Sequence, residues 1–336
     1  MKTVRKADVE ERIGTKLSPM PAGFGKLMSA QQVADMTAWL MTRKIIGDRK
    51  GFSFRDNADS ISIHFGRQRI ASYLKDHPRL TRRALVNVTT PGGIPITRRF
   101  PPQQGEDHPM MHPGIWMSFG DLDGNDYWRL KARVVFDGFV EPPSGTQKIG
   151  RFAVRNNYLS EDEQRVVCVE QTMYEFQKVP QGIMVRLDAT YQSNEQDFYF
   201  GDQEESGLAV RVPSPIRVNG GNGTILNSRG QKNEKEIWGN QARWFDYSGT
   251  IDGRHVGLLV VPSPDNVRPS WLHSRDYGVV VANPFPKQPK ERKEPYVRTF
   301  VKAGETFRLS YIVLIHESNV GEKFDPSTAA EAISVP

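Results

Sequence analysis

His108 to Trp128 read HPMMHPGIWMSFGDLDGNDYW, and this stretch sets the expectation for the rest of the chain. Gly114 to Phe119 has the composition of a strand. Asp121-Leu-Asp-Gly-Asn after it has that of a tight turn, with Gly124 supplying the left-handed backbone such turns need. Asp121 to Asn125 also starts like a calcium loop, but the closing glutamate and flanking helices of such loops are missing, so the hairpin reading stands. Two histidines, two tryptophans and three aspartates crowd the same segment. Folding alone rarely asks for that mixture; a binding or catalytic surface does.

Strand patterns recur outward in both directions. Gly51-Phe-Ser-Phe-Arg and Ser60-Ile-Ser-Ile-His-Phe alternate with period two around an Asn57-Ala-Asp turn. Leu85-Val-Asn-Val and Ile94-Pro-Ile-Thr flank Pro91-Gly-Gly. Further strands are predicted at Trp128 to Phe136, Gln164 to Gln177, Gly182 to Tyr191, Ser206 to Val212, Trp244 to Ile251, His255 to Val261, Asp276 to Asn283 and Thr306 to His316. Beyond residue 45 only short helices are predicted, near Arg67 to Leu74 and at Ser327 to Ile333. Arg217 to Glu236, rich in Gly and Asn, is predicted as a long loop. Many strands without βαβ alternation predict an all-β fold, a large antiparallel β-sandwich with a short N-terminal helical appendage.

A chain of 336 residues can bury a proper core. A hydrophobic content of 38% and a mean hydropathy of −0.54 fit a soluble protein. No apolar run approaches the roughly 20 residues needed to span a bilayer. The net charge is +6 and the pI about 9.3, but the basic residues are dispersed and no nucleic-acid module appears, so nucleic acid is not an expected partner. The single cysteine, Cys168, alternates with apolar neighbours and reads as a buried bystander. Met1-Lys-Thr-Val-Arg-Lys has no apolar stretch after it, so no signal peptide is expected.

Residues 1–45 read as a helical appendage and 46–336 as the sandwich domain. Ser29-Ala-Gln-Gln is a capping box, followed by Val33, Met36, Trp39 and Leu40 at helical spacing. The segment SPMPAGFGKLMSAQQVADMTAWLM resembles the closing segment of a c-type cytochrome domain. That resemblance implies Met20 as an axial ligand and a parent cytochrome c domain missing from this chain. No CxxCH haem-attachment motif is present, so no haem is expected.

Four stretches in order carry a second resemblance: HPMMHPGIWMSFGDLDGNDYW, FGDQEESGLAVRV, WGNQARWFDYSGTIDG and HSRDYGVVVANPF. From about residue 50 to 317 the chain is similar to PmoA-like bacterial domains of unknown function, frequent in Planctomycetes. The resemblance implies a galactose-mutarotase-like supersandwich, a link to sugar catabolism and a periplasmic setting. Met110-Met111 replaces a polar position of the family pattern, which counts against any role needing three polar groups there. Methane oxidation, which the label evokes, belongs to transmembrane proteins and is rejected for a chain with no span.

The residues themselves point to sugar. Aromatic faces stack on sugar C–H surfaces, while acidic, amide and cationic groups bond the hydroxyls. Trp116, Asp121, Trp238, Arg243, Asp246, Arg275, Asp276 and Asn283 are the predicted substrate-binding residues. Acid–base chemistry on a sugar carbon needs two groups with separated pKa values. His108, His112 and His273 with Glu204 or Glu205 could supply them, and Glu205 is taken as the carboxylate. In a mutarotase-like scheme a histidine protonates the ring oxygen and a carboxylate deprotonates the anomeric hydroxyl. A lyase or hydrolase acting on an oxidised sugar would use similar groups. The same histidines with a carboxylate could hold a divalent metal, although Pro109 and Pro113 exclude the helix that His-x-x-x-His sites use. A non-catalytic carbohydrate-binding module and a structural interaction domain are the rival readings. The enzyme reading requires His108 or His112, His273 and a carboxylate to converge in one cleft.

Overall fold

Phe52 and Phe54 point inward from one strand and Ile61 and Ile63 from the next, all fully buried, while Ser60, Ser62 and His64 between them turn outward. Period-two burial of this kind builds most of the protein. The structure, a computed structural model, describes residues 28–41, 45–285, 295–322 and 324–333, and the chain divides into two compact units, Met1–Lys44 and Ile45–Pro336.

In the first unit, α1 (Ala30–Met41) starts at the expected capping box: Gln32 N donates to Ser29 Oγ at 3.2 Å and Ser29 N to Gln32 Oε1 at 2.8 Å. Met20 and its Met-Pro segment lie outside the described residues.

The second unit opens with a meander of β1 (Ile45–Gly47), β2 (Phe52–Asp56), β3 (Ser60–Phe65), β4 (Gln68–Leu74), β5 (Ala84–Val86) and β6 (Ile115–Phe119). A second meander follows: β7 (Val134–Gly145), β8 (Ile149–Leu159), β9 (Val166–Val179) and β10 (Gly182–Gln192). After β11 (Phe198–Gly201), β12 (Ser206–Arg211) returns beside β6. Then come β13 (Thr224–Asn227), α2 (Asn233–Ile237), β14 (Asn240–Gln241), β15 (Phe245–Ile251), β16 (Arg254–Pro262), β17 (Trp271–Arg275), β18 (Val279–Asn283), β19 (Arg298–Val301), β20 (Thr306–Asn319) and α3 (Pro326–Ile333). A ten-stranded sheet runs β1-β2-β3-β4-β5-β6-β12-β18-β17-β14, and an eight-stranded sheet runs β13-β15-β16-β20-β10-β9-β8-β7. The main core lies between them, with Phe54 meeting Phe152 and Phe176 edge to face and those two stacked on each other. The outer face of the eight-stranded sheet is packed by Ala329, Ala330 and Ile333 of α3 against Met184, Leu259 and Leu314. On the outer face of the ten-stranded sheet Trp116, Trp128, Ala209, Val279 and Val281 form a separate cluster. The predicted large antiparallel sandwich with a short N-terminal helix is what the chain forms.

The local expectations diverge in four places. Arg67 to Leu74 is strand β4 rather than a helix: Ile70 to Leu74 are buried on both faces, so no alternation betrays the strand. Trp128 to Arg133 is a turn, and the strand there starts only at Val134. Trp128 N instead bonds Phe119 O at 3.1 Å, and Leu130 sits at φ +63°. β8 was not expected, because Arg151, Arg155, Asn156 and Asn157 obscure its apolar pattern. The supposed loop Arg217 to Glu236 contains β13 and part of α2.

Candidate functional site

The four ordered motifs fall on β6, β12, β14 with β15, and β17 with β18. All but β15 are neighbours, and β6-β12-β18-β17-β14 is one contiguous half of the ten-stranded sheet. Trp116 lies opposite Ala209, Ala209 opposite Val281, and Val281 opposite His273. Residues paired in one row share a face, so His273 and the ring system on Trp116 face the same side, about 14 Å apart across three strand spacings.

At the Trp116 end, His112 stacks between Trp116 (5.5 Å) and His108 (4.9 Å), and Tyr277 stacks on His108 at 5.4 Å. His112 is 3% exposed. Burial, and then the charges of Arg211, His108, Arg82 and Arg98, hold its pKa far down, so the ring stays neutral. Arg211 Nη1 faces His112 Nδ1 at 3.5 Å; a guanidinium only donates, which leaves the ring proton on Nε2. The buried Arg211 is in turn held by both oxygens of Asp107, at 2.7 and 2.9 Å, and lies over the Tyr277 ring. Burial alone would raise the Asp107 carboxyl; its bonds to Arg211, with Arg217 and Arg98 nearby, outweigh that and keep it low. His108 itself takes φ +44°, a left-handed conformation uncommon outside glycine.

At the other end, His273 Nδ1 approaches Glu204 Oε2 at 3.3 Å. Trp238 Nε1 donates to the same oxygen at 3.2 Å, and Arg275 lies 3.7 Å from Oε1 while its guanidinium covers the Trp238 ring at 3.8 Å. Burial pushes the Glu204 carboxyl up, but His273, Arg275 and Trp238 outweigh it and hold the group below its ordinary value. The Glu204 side chain stays 28% exposed. Asn283 fixes the backbone here, donating to Gln203 O at 2.6 Å and Glu204 O at 3.1 Å. Tyr277 lies between the two ends and feels the charges of both Arg211 and Arg275.

The predicted convergence is therefore half met: His273 meets a carboxylate, but His108 and His112 stay at the other end. Ala209 and Val281 between the ends are fully covered, so the two ends share no open floor. Among the described residues no group of three or more His, Cys, Asp or Glu is placed to hold a metal ion.

Several predicted site residues have other work. The carboxylate at His273 is Glu204, not Glu205, which Arg129 takes as an ion-pair partner. Trp116 is 1% exposed beneath His112, Trp128 and Arg82, so no sugar can stack on it. Asn283 is buried and committed to backbone carbonyls. Asp276 accepts from Glu234 N at 2.8 Å at the start of α2, and Arg275 pairs with Glu234 rather than with Asp276. Asp121 accepts from Gly124 N within its own turn and from Tyr296. Arg243 is exposed beside a separate cavity of 580 Å³ that Trp244, Pro262 and Pro269 also line. Asp246 lies on the outer face of the other sheet, paired with His316. Sequence reasoning missed Asp107, Arg211, Tyr277 and Arg129. Arg211 alone left a signal, as a cation ending the apolar run Leu208-Ala-Val-Arg-Val.

This fold and site belong to a chain of the DUF6807 family, a family of unknown function whose profile matches residues 60–331. No curated protein sequence matches the chain. Among solved structures it resembles a galactose mutarotase-like protein from Lactobacillus casei at 12% identity and TM-score 0.36, over 79% of this chain and 100% of that one. A galactose mutarotase-like protein from Clostridium acetobutylicum is similar at 8% identity and TM-score 0.36, over 82% and 98%. The GH36 alpha-galactosidase AgaA from Geobacillus stearothermophilus matches at 8% identity and TM-score 0.34, over 75% and 40%. Likeness at this level says nothing about chemistry, which rests on the side chains.

Proposed function

We propose that this protein binds a carbohydrate on the outer face of the ten-stranded sheet and moves a proton there with Glu204 and His273. The observation that supports this most is the 3.3 Å approach of His273 Nδ1 to a carboxylate that solvent still reaches. The contacts around Glu204 keep it ionised at neutral pH. The contact is one of charge rather than a well-aligned hydrogen bond, since Nδ1 makes none, so it does not by itself fix the imidazole tautomer. The His273 ring has this contact with Glu204 and an edge contact with the Trp238 ring at 6.3 Å. Trp238 and Tyr277 offer half-buried aromatic surface beside it, and Arg275 and Arg129 offer donors for hydroxyls or a sugar carboxylate.

A mutarotase-like division of labour puts acid and base on opposite sides of one sugar. Glu204 and His273 touch, so they act as one unit, and the second group must come from elsewhere on this face. Glu205, held by Arg129, is the adjoining carboxylate. Three of the four motifs similar to PmoA-like domains, and the first part of the remaining one, lie on this sheet, which agrees with a sugar ligand and with the periplasmic setting that resemblance implies. A second reading, binding without turnover, is favoured by the way His273, Arg275 and Trp238 already surround Glu204.

A thermal-shift panel of neutral and oxidised mono- and disaccharides tests both readings, since a bound ligand raises the melting temperature. Anomeric exchange, elimination and hydrolysis are then followed by NMR on any hit. Turnover lost in His273→Ala with the shift retained supports the enzyme. A shift without turnover supports the binding module, and no shift with any sugar sinks both.

A further inference from the structure

Arg82 and Arg83 are neighbours, both buried, and the protein treats them differently. Arg82 donates to the backbone carbonyls of Met111, Tyr127 and Trp128. Arg83, 8% exposed, makes no side-chain hydrogen bond and no ion pair among the described residues, and its Nε and Nη1 are buried with nothing to bond. Leaving a buried guanidinium unpaired costs several kcal/mol unless something in the site answers it.

What Arg83 faces is a cavity of 140 Å³ between the β2–β3 hairpin, the end of β4 and the start of β7. No residue of the His273 site lines it. Lys75 and Arg133 do, with Asp76 as the sole carboxylate among the lining residues. Asp56 and Glu163 already hold Lys75 and Arg133, at 2.8 and 3.9 Å. Glu170, the other carboxyl near Arg83, is bonded to Thr172 and Asn156, and burial pushes its pKa upward. Val134, Val135 and Phe136 complete the cavity with apolar surface. The volume falls below the roughly 300–1,000 Å³ usual for small-molecule sites and suits a group of ionic size.

We propose that this cavity is a phosphate site, taking inorganic phosphate or the phosphate group of a small monoester, with Arg83 as the buried anchor and Arg133 and Lys75 at its sides. A guanidinium presents a planar fork of donors that matches phosphate oxygens, and with Lys75 and Arg133 already paired with Asp56 and Glu163, Arg83 is the cation whose donors an anion would satisfy. The walls at Val134 to Phe136 offer a place for the carbon end of an ester.

Calorimetric titration of the full chain with inorganic phosphate, at ionic strength held constant with sodium chloride, tests this. One saturable site is expected, weakened at least tenfold by Arg83→Gln and several-fold by Arg133→Gln and by Lys75→Gln. Parallel titrations with glycerol phosphate distinguish the sources: tighter binding of the ester assigns the apolar wall to its carbon end, and tighter binding of the free ion assigns the cavity to phosphate itself. If Arg83→Gln does not fold, the two variants at the cavity sides carry the test. Absence of saturable binding, or equal affinity in all the variants that fold, overturns the proposal.

Discussion

Each sheet carries a histidine paired with a carboxylate on its outer face, and the two pairs are built for opposite ends. On the eight-stranded sheet His316 Nε2 meets Asp246 Oδ1 at 2.8 Å, with the side chains 0% and 4% exposed. Phe324 stacks on His316 at 3.7 Å, Ser248 occupies the second Asp246 oxygen, and a Cβ at Gly257 would strike the imidazole at 2.3 Å, so this position requires glycine. On the ten-stranded sheet His273 meets Glu204 with no such lid: the carboxylate is partly open, and cations and an indole surround it. Residue types do not separate these pairs. Enclosure does, since a sealed pair holds structure together and an open one is available to a ligand.

Four experiments would break or sharpen that contrast. Asp246→Ala leaves His316 buried without its partner and should cost about 3–5 kcal/mol in denaturant unfolding; a loss well under 1 would mean the sealed pair is not structural. Trp116→Ala should cost about 3 kcal/mol, near the low end for such truncations because Arg82, Trp128 and His112 can close in. Its ligand-induced thermal shift should persist, since the indole is not a sugar platform. His273→Ala should cost no more than about 1 kcal/mol, as Glu204 keeps Arg275, Trp238 and water. Turnover, if present, should fall by about 10²–10⁴; a stability loss as large as that of Asp246→Ala would place His273 with the sealed pair. The smallest effect is one of pH. Glu204 is held below its unfolded pKa, so its stabilisation is present above the ordinary carboxylate range and is lost as pH falls through the lower folded value. The stability of Glu204→Gln should therefore converge on wild type in acid; a difference unchanged by pH would show that the carboxylate charge does nothing there.

How far the sequence carried these conclusions depended on range. The Ser29–Gln32 capping box was legible because it is local, four residues satisfying one another. β10 and β20 were legible because alternate residues such as Val185, Leu187, Tyr311 and Val313 fill the core. β4 was hidden by burial on both sides. The WGNQARWFDYSGTIDG motif was read as one surface, yet the chain leaves one sheet after Gln241 and enters the other at Phe245, which strands Asp246 on the far side. Glu204 and Glu205 were indistinguishable as letters; only the tertiary positions of Asn283 and Arg129 separate them. The buried Arg82 and Arg83 gave no hint of their different fates.

The order of strands in the candidate half of the ten-stranded sheet bears on how the protein comes into being. β6 must wait for β12, β12 for β18, and β18 lies between β12 and β17, so neighbours in space are supplied from positions separated by up to about 90 residues. Such non-local pairing is slow to establish. The Glu204–His273 surface therefore cannot exist before β17 and β18 have been made, and the eight-stranded sheet behind it waits longer still, for β20 to enter between β16 and β10. No fragment ending before residue 273 contains both members of the Glu204–His273 pair, whereas every residue lining the cavity at Arg83 has been made by residue 136.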